Sequence, residues 1–142
     1  MELSEDEARR RLGGHDHGIL CTVHPHRGVD AIPVAFAVDP DGLVGVPVDL
    51  VKPKASTRLQ RERNLEADPR ATLLVEHWDG DDWSKLWWVR AELRWAGDVD
   101  HARAATLSRL LAERYPQYRG EPFERILLLR IVGIRGWSAT AR

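Results

Sequence analysis

Residues 85–95 read Lys-Leu-Trp-Trp-Val-Arg-Ala-Glu-Leu-Arg-Trp, and apolar side chains alternate with charged ones along most of this stretch. Successive side chains of a β-strand point to opposite faces, so the alternation predicts a strand. One face carries only apolar residues: Trp87, Val89, Ala91, Leu93 and Trp95. We expect this face to pack on a core and the other face to point outward, with Trp88, Arg90, Glu92 and Arg94.

Segments before and after this strand also predict β-structure joined by short turns. We predict six strands in all, at residues 18–24, 29–38, 43–48, 71–78, 85–95 and 126–137. Asp39-Pro40-Asp41-Gly42 is a strong turn signal, and Asp79–Asp82 predicts another turn. Tight turns between consecutive strands favour an antiparallel sheet, and closure into a small barrel would remove its exposed edges.

Three helices are predicted beside the sheet. Ser4 and Glu7 form a capping-box pattern that opens the first helix. The second covers residues 59–66, and the third begins at Asp98 or Asp100 and carries an apolar stripe: Ala104, Leu107, Leu110, Leu111 and Tyr115. Helices this few and this unevenly spaced exclude a doubly wound fold. The expected fold is mainly β (α+β), in one domain spanning 1–142.

Charge and cysteine content, together with the absence of long apolar stretches, limit the classes of function to expect. The formal net charge of −1 gives no reason to expect a nucleic-acid partner. A single cysteine, Cys21, excludes a disulfide within the chain and lies in an apolar run, where a buried, inert thiol is expected. The N-terminus is acidic and lacks an apolar signal region, and no stretch approaches the length of a membrane span. We therefore expect a cytoplasmic protein with no membrane partner.

The chain carries a cationic segment, Val51-Lys52-Pro53-Lys54-Ala55-Ser56-Thr57-Arg58, directly before the second helix. Pro53 disfavours a helical start before Lys54, so we expect the helix to begin near Ser56. Its free N–H groups and the lysines would then favour a bound phosphate. Solvated surface is the alternative, since cations at a helix N-terminus slightly disfavour the helix. The segment alone does not decide between the two.

The predicted strand at 29–38 has one face of large residues and one of small residues. The large face, which includes Val34 and Phe36, is expected in the core, whereas Pro33 must lie at an edge or a bulge because it cannot donate to a ladder. Pro47 interrupts the next strand in the same way. A groove between Pro33–Ala35 and Pro47–Asp49 would end at the cationic segment and suit a planar, phosphate-bearing cofactor. Close strand packing at a subunit contact is the alternative.

The remaining candidate residues are aromatic or metal-ligating. Trp88 shares its face with two arginines, so its burial would imply a partner surface. Trp137 follows Gly136 and could stack on a ring. The pairs in His15-Asp16-His17 and His24-Pro25-His26 lack an identifiable third ligand, so we interpret them as loop histidines and predict no metal. No nucleophile stands at a recognisable spacing from a base, so an enzyme with this sequence would rely on a cofactor.

Several motifs resemble one known family. They are Ile32-Pro33-Val34-Ala35-Phe36-Ala37-Val38, Lys52-Pro53-Lys54 with Thr57-Arg58-Leu59, Asn64-Leu65 through Asp68-Pro69-Arg70 to Leu74-Val75, and Trp83 through Arg90. In order and spacing these are similar to the split-barrel flavin and deazaflavin oxidoreductases of the pyridoxamine 5′-phosphate oxidase-like superfamily. The most similar branch comprises actinobacterial enzymes that use coenzyme F420, a deazaflavin.

The resemblance implies a six-stranded antiparallel split β-barrel with a few flanking helices, in a homodimer whose cofactor sites lie at the subunit interface. It also implies an F420-dependent reductase that passes a hydride to a small conjugated substrate, without naming a catalytic protein residue. The implied cofactor contacts form three groups. The phosphate would be bound by Lys54, Ser56, Thr57 and Arg58, with Lys52 close by. The ring would lie along Pro33, Val34 and Ala35, beside Pro47, Val48 and Asp49. The second subunit would contribute or contact Trp88 and Trp137.

Two other functions remain open on the same scaffold. An FMN-binding oxidoreductase is one, because FMN and F420 both carry a phosphate on a ribityl chain. A non-catalytic protein that binds flavin, deazaflavin or haem is the other, and His77 is the histidine we would nominate as a haem ligand.

Overall fold

The computed structural model describes residues 1–49, 58–97 and 100–140. Within these ranges the elements in chain order are α1 (Glu5–Gly14), β1 (Gly18–His24), β2 (Gly28–Val34), β3 (Ala37–Val38), β4 (Leu43–Asp49), α2 (Gln60–Ala67), β5 (Arg70–His77), β6 (Trp87–Trp95), α3 (His101–Arg114) and β7 (Phe123–Ser138). Short 3-10 helices span Trp83–Lys85 and Pro116–Tyr118. None of the helices in the described ranges is long and apolar enough to cross a membrane.

The strands form one seven-stranded antiparallel sheet in the order β2-β1-β5-β6-β7-β4-β3. The expected six-stranded split barrel is therefore wrong in its number of strands, and the closure considered for it is not formed, because β2 and β3 do not pair. The predicted strand at 29–38 divides into β2 and β3, with Ala35 and Phe36 between them. The break occurs because the backbone of Phe36 bonds a side chain instead of a strand: its N–H donates to the Tyr115 hydroxyl at 3.4 Å.

The sheet must nevertheless curl back on itself. Its two edge strands, β2 and β3, are joined by only two residues, so Val34 and Ala37 lie within three Cα–Cα steps of about 3.8 Å, or about 11 Å. In a flat sheet, six strand spacings of about 4.8 Å would place the edges about 29 Å apart. Only a rolled sheet brings them together. The gap between β2 and the β3–β4 edge is called the seam below.

The Tyr115 hydroxyl bridges chain segments where the link between β2 and β3 crosses the seam. Besides accepting from Phe36, it shares its hydrogen between the carbonyl oxygens of Phe36 and Asp16. Burial raises the pKa of this phenol. The Tyr115 hydroxyl at the end of α3 therefore provides hydrogen-bond partners for backbone groups of Phe36 and Asp16 that lie outside the strands.

The inner face of the sheet carries the main core, as residues 85–95 predict. Val89, Ala91 and Leu93 of β6 are fully buried, and Trp87 and Trp95 pack against the same cluster. The large face of β2 contributes Val34, followed by the buried Phe36. A second cluster lies beneath α3, whose predicted apolar stripe is confirmed in Leu107 and Leu111, with Ala104, Leu110 and Tyr115 packed beside them.

The predicted helix caps at Ser4 and Asp100 are confirmed. Ser4 Oγ accepts from the Glu7 N–H at 3.2 Å, and the Asp100 carboxylate accepts from the Arg103 N–H at 3.0 Å. The capping box is only half formed, because the Glu7 carboxylate bonds Arg10 and Arg11.

Candidate functional site

The cationic segment joins two elements that contact each other. Lys52, Lys54, Ser56 and Thr57 lie outside the described residues, so the structure does not test their predicted role. The elements on either side are described: β4 ends at Asp49, and α2 begins at Gln60. The Arg61 guanidinium donates to the carbonyl oxygen of Pro47 at 3.3 Å. The first turn of α2 is therefore tied to the last residues of β4.

The helix begins at Gln60, after an extended Leu59, one residue from the start of the predicted range 59–66. The expected start near Ser56 is wrong. The reason is an acidic residue in its first turn. The Glu62 carboxylate accepts from the Leu59 N–H at 3.0 Å and supplies the negative charge that a helix N-terminus favours. The first turn thus already holds an anion of its own, which weakens the argument that a phosphate binds the helix terminus itself.

Glu62 also forms the most buried ion pair among the described residues. Arg125 of β7 donates to its carboxylate from Nε at 2.6 Å and from Nη2 at 2.7 Å, and the Glu62 side chain is only 3% exposed. Burial acts to raise the pKa of Glu62, but the bonds from Arg125 and from the Leu59 N–H outweigh it, so the pKa is lowered. The carboxylate is charged at neutral pH and holds α2 on β7.

The other face of α2 bonds the opposite side of the seam. The Asn64 amide donates to the Thr22 hydroxyl of β1 at 3.0 Å and to the Asp30 carboxylate of β2 at 2.9 Å. The bond from Asn64 is the largest of the effects that lower the pKa of Asp30. The helix α2 therefore lies across the seam. It contacts β4 and β7 through Arg61 and Glu62, and it contacts β1 and β2 through Asn64.

The arginines near the start of α2 have protein partners. Arg58, predicted to contact a phosphate, forms an ion pair with Glu66. Arg63 donates to the Arg58 carbonyl oxygen at 3.1 Å and to Gln60 Oε1 at 3.0 Å. A bound anion would therefore compete with existing contacts at Arg58.

The predicted ring contacts differ in accessibility. Pro33 is exposed on the edge strand β2, which confirms the edge position predicted for it, and Ala35 is half-buried. Val34, Pro47 and Val48 are buried, whereas Asp49 is the last residue of β4. Among the predicted ring contacts whose side chains the structure describes, Pro33 and Ala35 are the accessible ones.

Trp88 and Trp137 lie together on the outer face of the sheet. They are paired across β6 and β7, and the Arg90 guanidinium lies 5.4 Å from the centre of the Trp88 ring. Pro33 is on the same outer face, in a row that continues through Ile19 and Leu74 to Arg90. The predicted residues thus form two groups, one at the seam under α2 and one on the outer face.

Two further candidates are placed by the structure. Cys21 is half-buried on β1, and burial raises the pKa of its thiol, which disfavours a reactive thiolate as the sequence predicts. His77 is exposed at the end of β5, and its ring stacks on Trp87 with 6.4 Å between centroids. The structure leaves the nomination of His77 as a haem ligand untested.

Comparison of the structure with solved structures identifies the fold. No protein-family profile and no curated protein sequence matches the chain. An FAD-binding protein from Mesorhizobium loti is similar with a TM-score of 0.71 at 14% identity, covering 96% of this chain and 95% of that one. A putative pyridoxamine 5′-phosphate oxidase from Corynebacterium glutamicum is similar with a TM-score of 0.59 at 17% identity, covering 96% and 90%. An F420 reductase is similar with a TM-score of 0.62 at 20% identity, covering 92% and 96%.

These similarities extend over nearly the whole of each chain, so the fold as a whole is shared. The chain has the pyridoxamine 5′-phosphate oxidase-like fold that its motifs resemble. The expected antiparallel β-architecture with flanking helices is confirmed, in a seven-stranded, unclosed form.

Proposed function

We propose that this protein is an F420-dependent oxidoreductase that transfers a hydride between the deazaflavin and a small conjugated organic substrate. One observation carries the proposal. Two of the three lysines in the chain, with a serine and a threonine, lie in the segment that connects β4 to α2, the helix across the seam. The shared fold with an F420 reductase supports the choice of cofactor.

The chemistry of the donor set fits a cofactor with a phosphate on a flexible chain. Ammonium and hydroxyl groups of Lys54, Ser56 and Thr57 would bind the phosphate, with Lys52 and Arg58 on either side. The deazaflavin, when bound, supplies the hydride chemistry. The protein would orient the ring along Pro33 and its neighbours and exclude water from it.

We propose in addition that the cofactor sites lie at a homodimer interface formed by the outer face of the sheet. Partly or fully exposed apolar residues on this face are adjacent in the strand register: Ala31, Pro33, Ile19, Cys21, Leu74 and Trp88. Contiguous apolar surface of this kind marks association sites more often than free surface. A partner subunit on this face would cover Trp88 and Trp137.

Fluorescence titration of the apoprotein with F420, and separately with FMN, tests the cofactor. We expect saturable F420 binding that Lys54→Ala abolishes and that Lys85→Ala leaves unchanged. Lys85→Ala is a matched control, since it removes the same charge at a different place, where the Lys85 ammonium lies 3.7 Å from the Asp79 carboxylate. Tight FMN binding without F420 binding would instead favour the FMN-dependent alternative, which the fold shared with an FAD-binding protein supports.

Light scattering during size-exclusion chromatography tests the dimer. Leu74→Arg places a charge in the middle of the outer face and should convert a dimer to a monomer. Ala105→Arg adds the same charge at an exposed position of α3 and should not. A wild-type monomer at micromolar concentration would contradict the proposed interface and the location of the cofactor sites at it. The F420 titration would still test binding by the cationic segment.

A further inference from the structure

The loop between α1 and β1 is held in place at several points. At its start, the His15 N–H donates to the Leu12 carbonyl oxygen at 3.3 Å. The end of α3 then contacts both α1 and the loop: Arg114 donates to the Gly13 carbonyl oxygen in the last turn of α1 at 2.9 Å, and the Tyr115 hydroxyl donates to the Asp16 carbonyl oxygen. The backbone that carries residues 15–17 is therefore anchored to a second element far away in sequence.

On this anchored backbone, three side chains bring their potential ligand atoms together. One ligand atom each from His15, Asp16 and His17 lies within 4.8 Å of the others. The imidazole rings of the two histidines are 5.6 Å apart between centroids. The His15 ring packs edge-on against Trp87 at 5.4 Å, so one member of the group is oriented by the core, while Asp16 and His17 remain open to solvent.

We propose that His15, Asp16 and His17 bind one divalent first-row transition-metal ion, of which Zn²⁺ is the representative. Two imidazoles and one carboxylate suit Zn²⁺, Co²⁺, Ni²⁺ or Cu²⁺, whereas Mg²⁺ and Ca²⁺ prefer sites made only of oxygen atoms. With three protein ligands on an exposed loop, the ion retains positions for water. Metal–ligand bonds of about 2.0–2.2 Å require the three donors to close by small side-chain rotations.

A contact inside the cluster supports this assignment. His17 Nδ1 lies 2.7 Å from Asp16 Oδ1. These two atoms are already as close as two ligands of one ion need to be, so no large movement is required of either side chain. The ion would replace the hydrogen bond between them, with His17 binding through Nδ1 and Asp16 through Oδ1.

The turn at His24-Pro25-His26 provides a comparison within the same chain. Its rings are 6.1 Å apart, nearly as close as those of His15 and His17. However, His24 Nδ1 already accepts two backbone N–H groups, from His26 and Arg27, and the nearby Asp30 carboxylate is bonded to the Arg27 guanidinium. We therefore expect this second pair not to form a metal site.

Isothermal titration calorimetry with Zn²⁺ on the tag-free full chain, freed of metal with EDTA, tests the proposal. We expect one Zn²⁺ per chain, a rise in melting temperature on Zn²⁺ addition, and no competition from Mg²⁺. His17→Ala and Asp16→Asn should each lower the affinity by about tenfold or more. His24→Ala/His26→Ala should leave it unchanged.

Asp16→Asn retains the backbone carbonyl that Tyr115 bonds, so this variant separates loss of a ligand from loss of the loop anchor. His15→Ala is less informative by itself, because the ring also packs on Trp87. Failure of the wild-type protein to bind Zn²⁺ with defined stoichiometry would overturn the proposal. So would an equal loss of affinity in the His24→Ala/His26→Ala control.

Discussion

The substitution Glu62→Gln tests the buried ion pair that fastens α2 across the seam. It preserves side-chain volume but removes the charge that Arg125 faces. It also turns an amide N–H₂ toward a guanidinium N–H, so one of the two short bonds at 2.6 and 2.7 Å is replaced by a repulsive contact. The cost therefore includes both a lost charged hydrogen bond and the loss of the buried counter-charge of Arg125, which keeps only the Glu124 carboxylate at 3.4 Å.

The structure sets the size of this effect. Breaking a fully buried ion pair costs about 3–5 kcal/mol. The Arg125 side chain is 24% exposed, so water partly compensates it, and we expect the lower end of that range, about 3 kcal/mol. Unfolding entropy is about 2.1 cal/mol/K per residue, or about 0.3 kcal/mol/K for 142 residues. The melting temperature should therefore fall by about 10 °C.

Urea denaturation of the wild type, Glu62→Gln, Arg125→Met and the double variant measures the effect and the coupling between the two residues. The matched control is Glu2→Gln. Glu2 bonds Arg135 in β7 at 2.8 and 3.2 Å, but the two side chains are 65% and 64% exposed. Such an exposed pair contributes about 1 kcal/mol or less. Equal losses for Glu62→Gln and Glu2→Gln, or a coupling energy near zero, would refute the reasoning.

The same pair predicts a pH dependence with a definite sign. The pKa of Glu62 is lowered in the folded protein. Its contribution to stability is therefore present above the pKa of the unfolded chain and is lost as the pH falls through the folded value. Glu62→Gln should reduce the slope with which the free energy of unfolding rises with pH on the acid side. Urea denaturation midpoints between about pH 3 and about pH 7 measure this slope. An unchanged slope would show that Glu62 does not titrate as inferred.

The remaining predictions concern the seam, a close contact compared with an open helix position, and the titration of Glu7. Tyr115→Phe removes the hydroxyl at the seam, and we expect the free energy of unfolding, measured in urea, to fall by about 1–3 kcal/mol; no change would contradict its bridging role. Gly18→Ala would place a Cβ 2.8 Å from a leucine methyl carbon and should cost about 1–3 kcal/mol. In Gly13→Ala, the added Cβ in α1 meets no atom within 4 Å, so this substitution should be neutral or stabilising. A larger loss of stability for Gly13→Ala than for Gly18→Ala would be evidence against the packing described. A hydrogen bond from Arg10 is the largest cause that lowers the pKa of Glu7 from 4.5 to about 2. The contribution of Glu7 to stability should thus persist at neutral pH and disappear as the pH falls toward 2, which NMR titration of its carboxyl group would check.

Short-range patterns predicted the elements whose structure depends on their own residues. Alternation in residues 85–95 predicted β6 and its inward face, and the caps at Ser4 and Asp100 predicted the starts of α1 and α3. The edge position of Pro33 also followed from local chemistry, because proline lacks the N–H that a central strand needs. Sequence spacing likewise identified the cationic segment and the resemblance to the split-barrel fold.

The errors have causes that lie far away along the chain. The predicted strand at 29–38 breaks at Phe36 because its backbone bonds Tyr115, 79 residues later. The second helix begins at Gln60, where the Glu62 carboxylate accepts from the Leu59 N–H, and this carboxylate is also held by Arg125, 63 residues later. The interpretation of His15 and His17 as loop histidines is not among these errors. The folded loop brings ligand atoms of both and of Asp16 within 4.8 Å of one another, and whether they bind an ion is left to the titration with Zn²⁺.

The sequence by itself determined the approximate positions of most strands and helices and which of their faces are apolar, since these follow from local sterics and side-chain periodicity. Its assignment of a phosphate to the cationic segment stays a prediction. Only the tertiary structure decided that the sheet has seven strands and an open seam, that α2 lies across this seam, and that Trp88 and Trp137 pair on the outer face. Strand order and cross-strand partners depend on contacts between distant residues, and no local pattern encodes which distant partner will satisfy a given backbone group or charge.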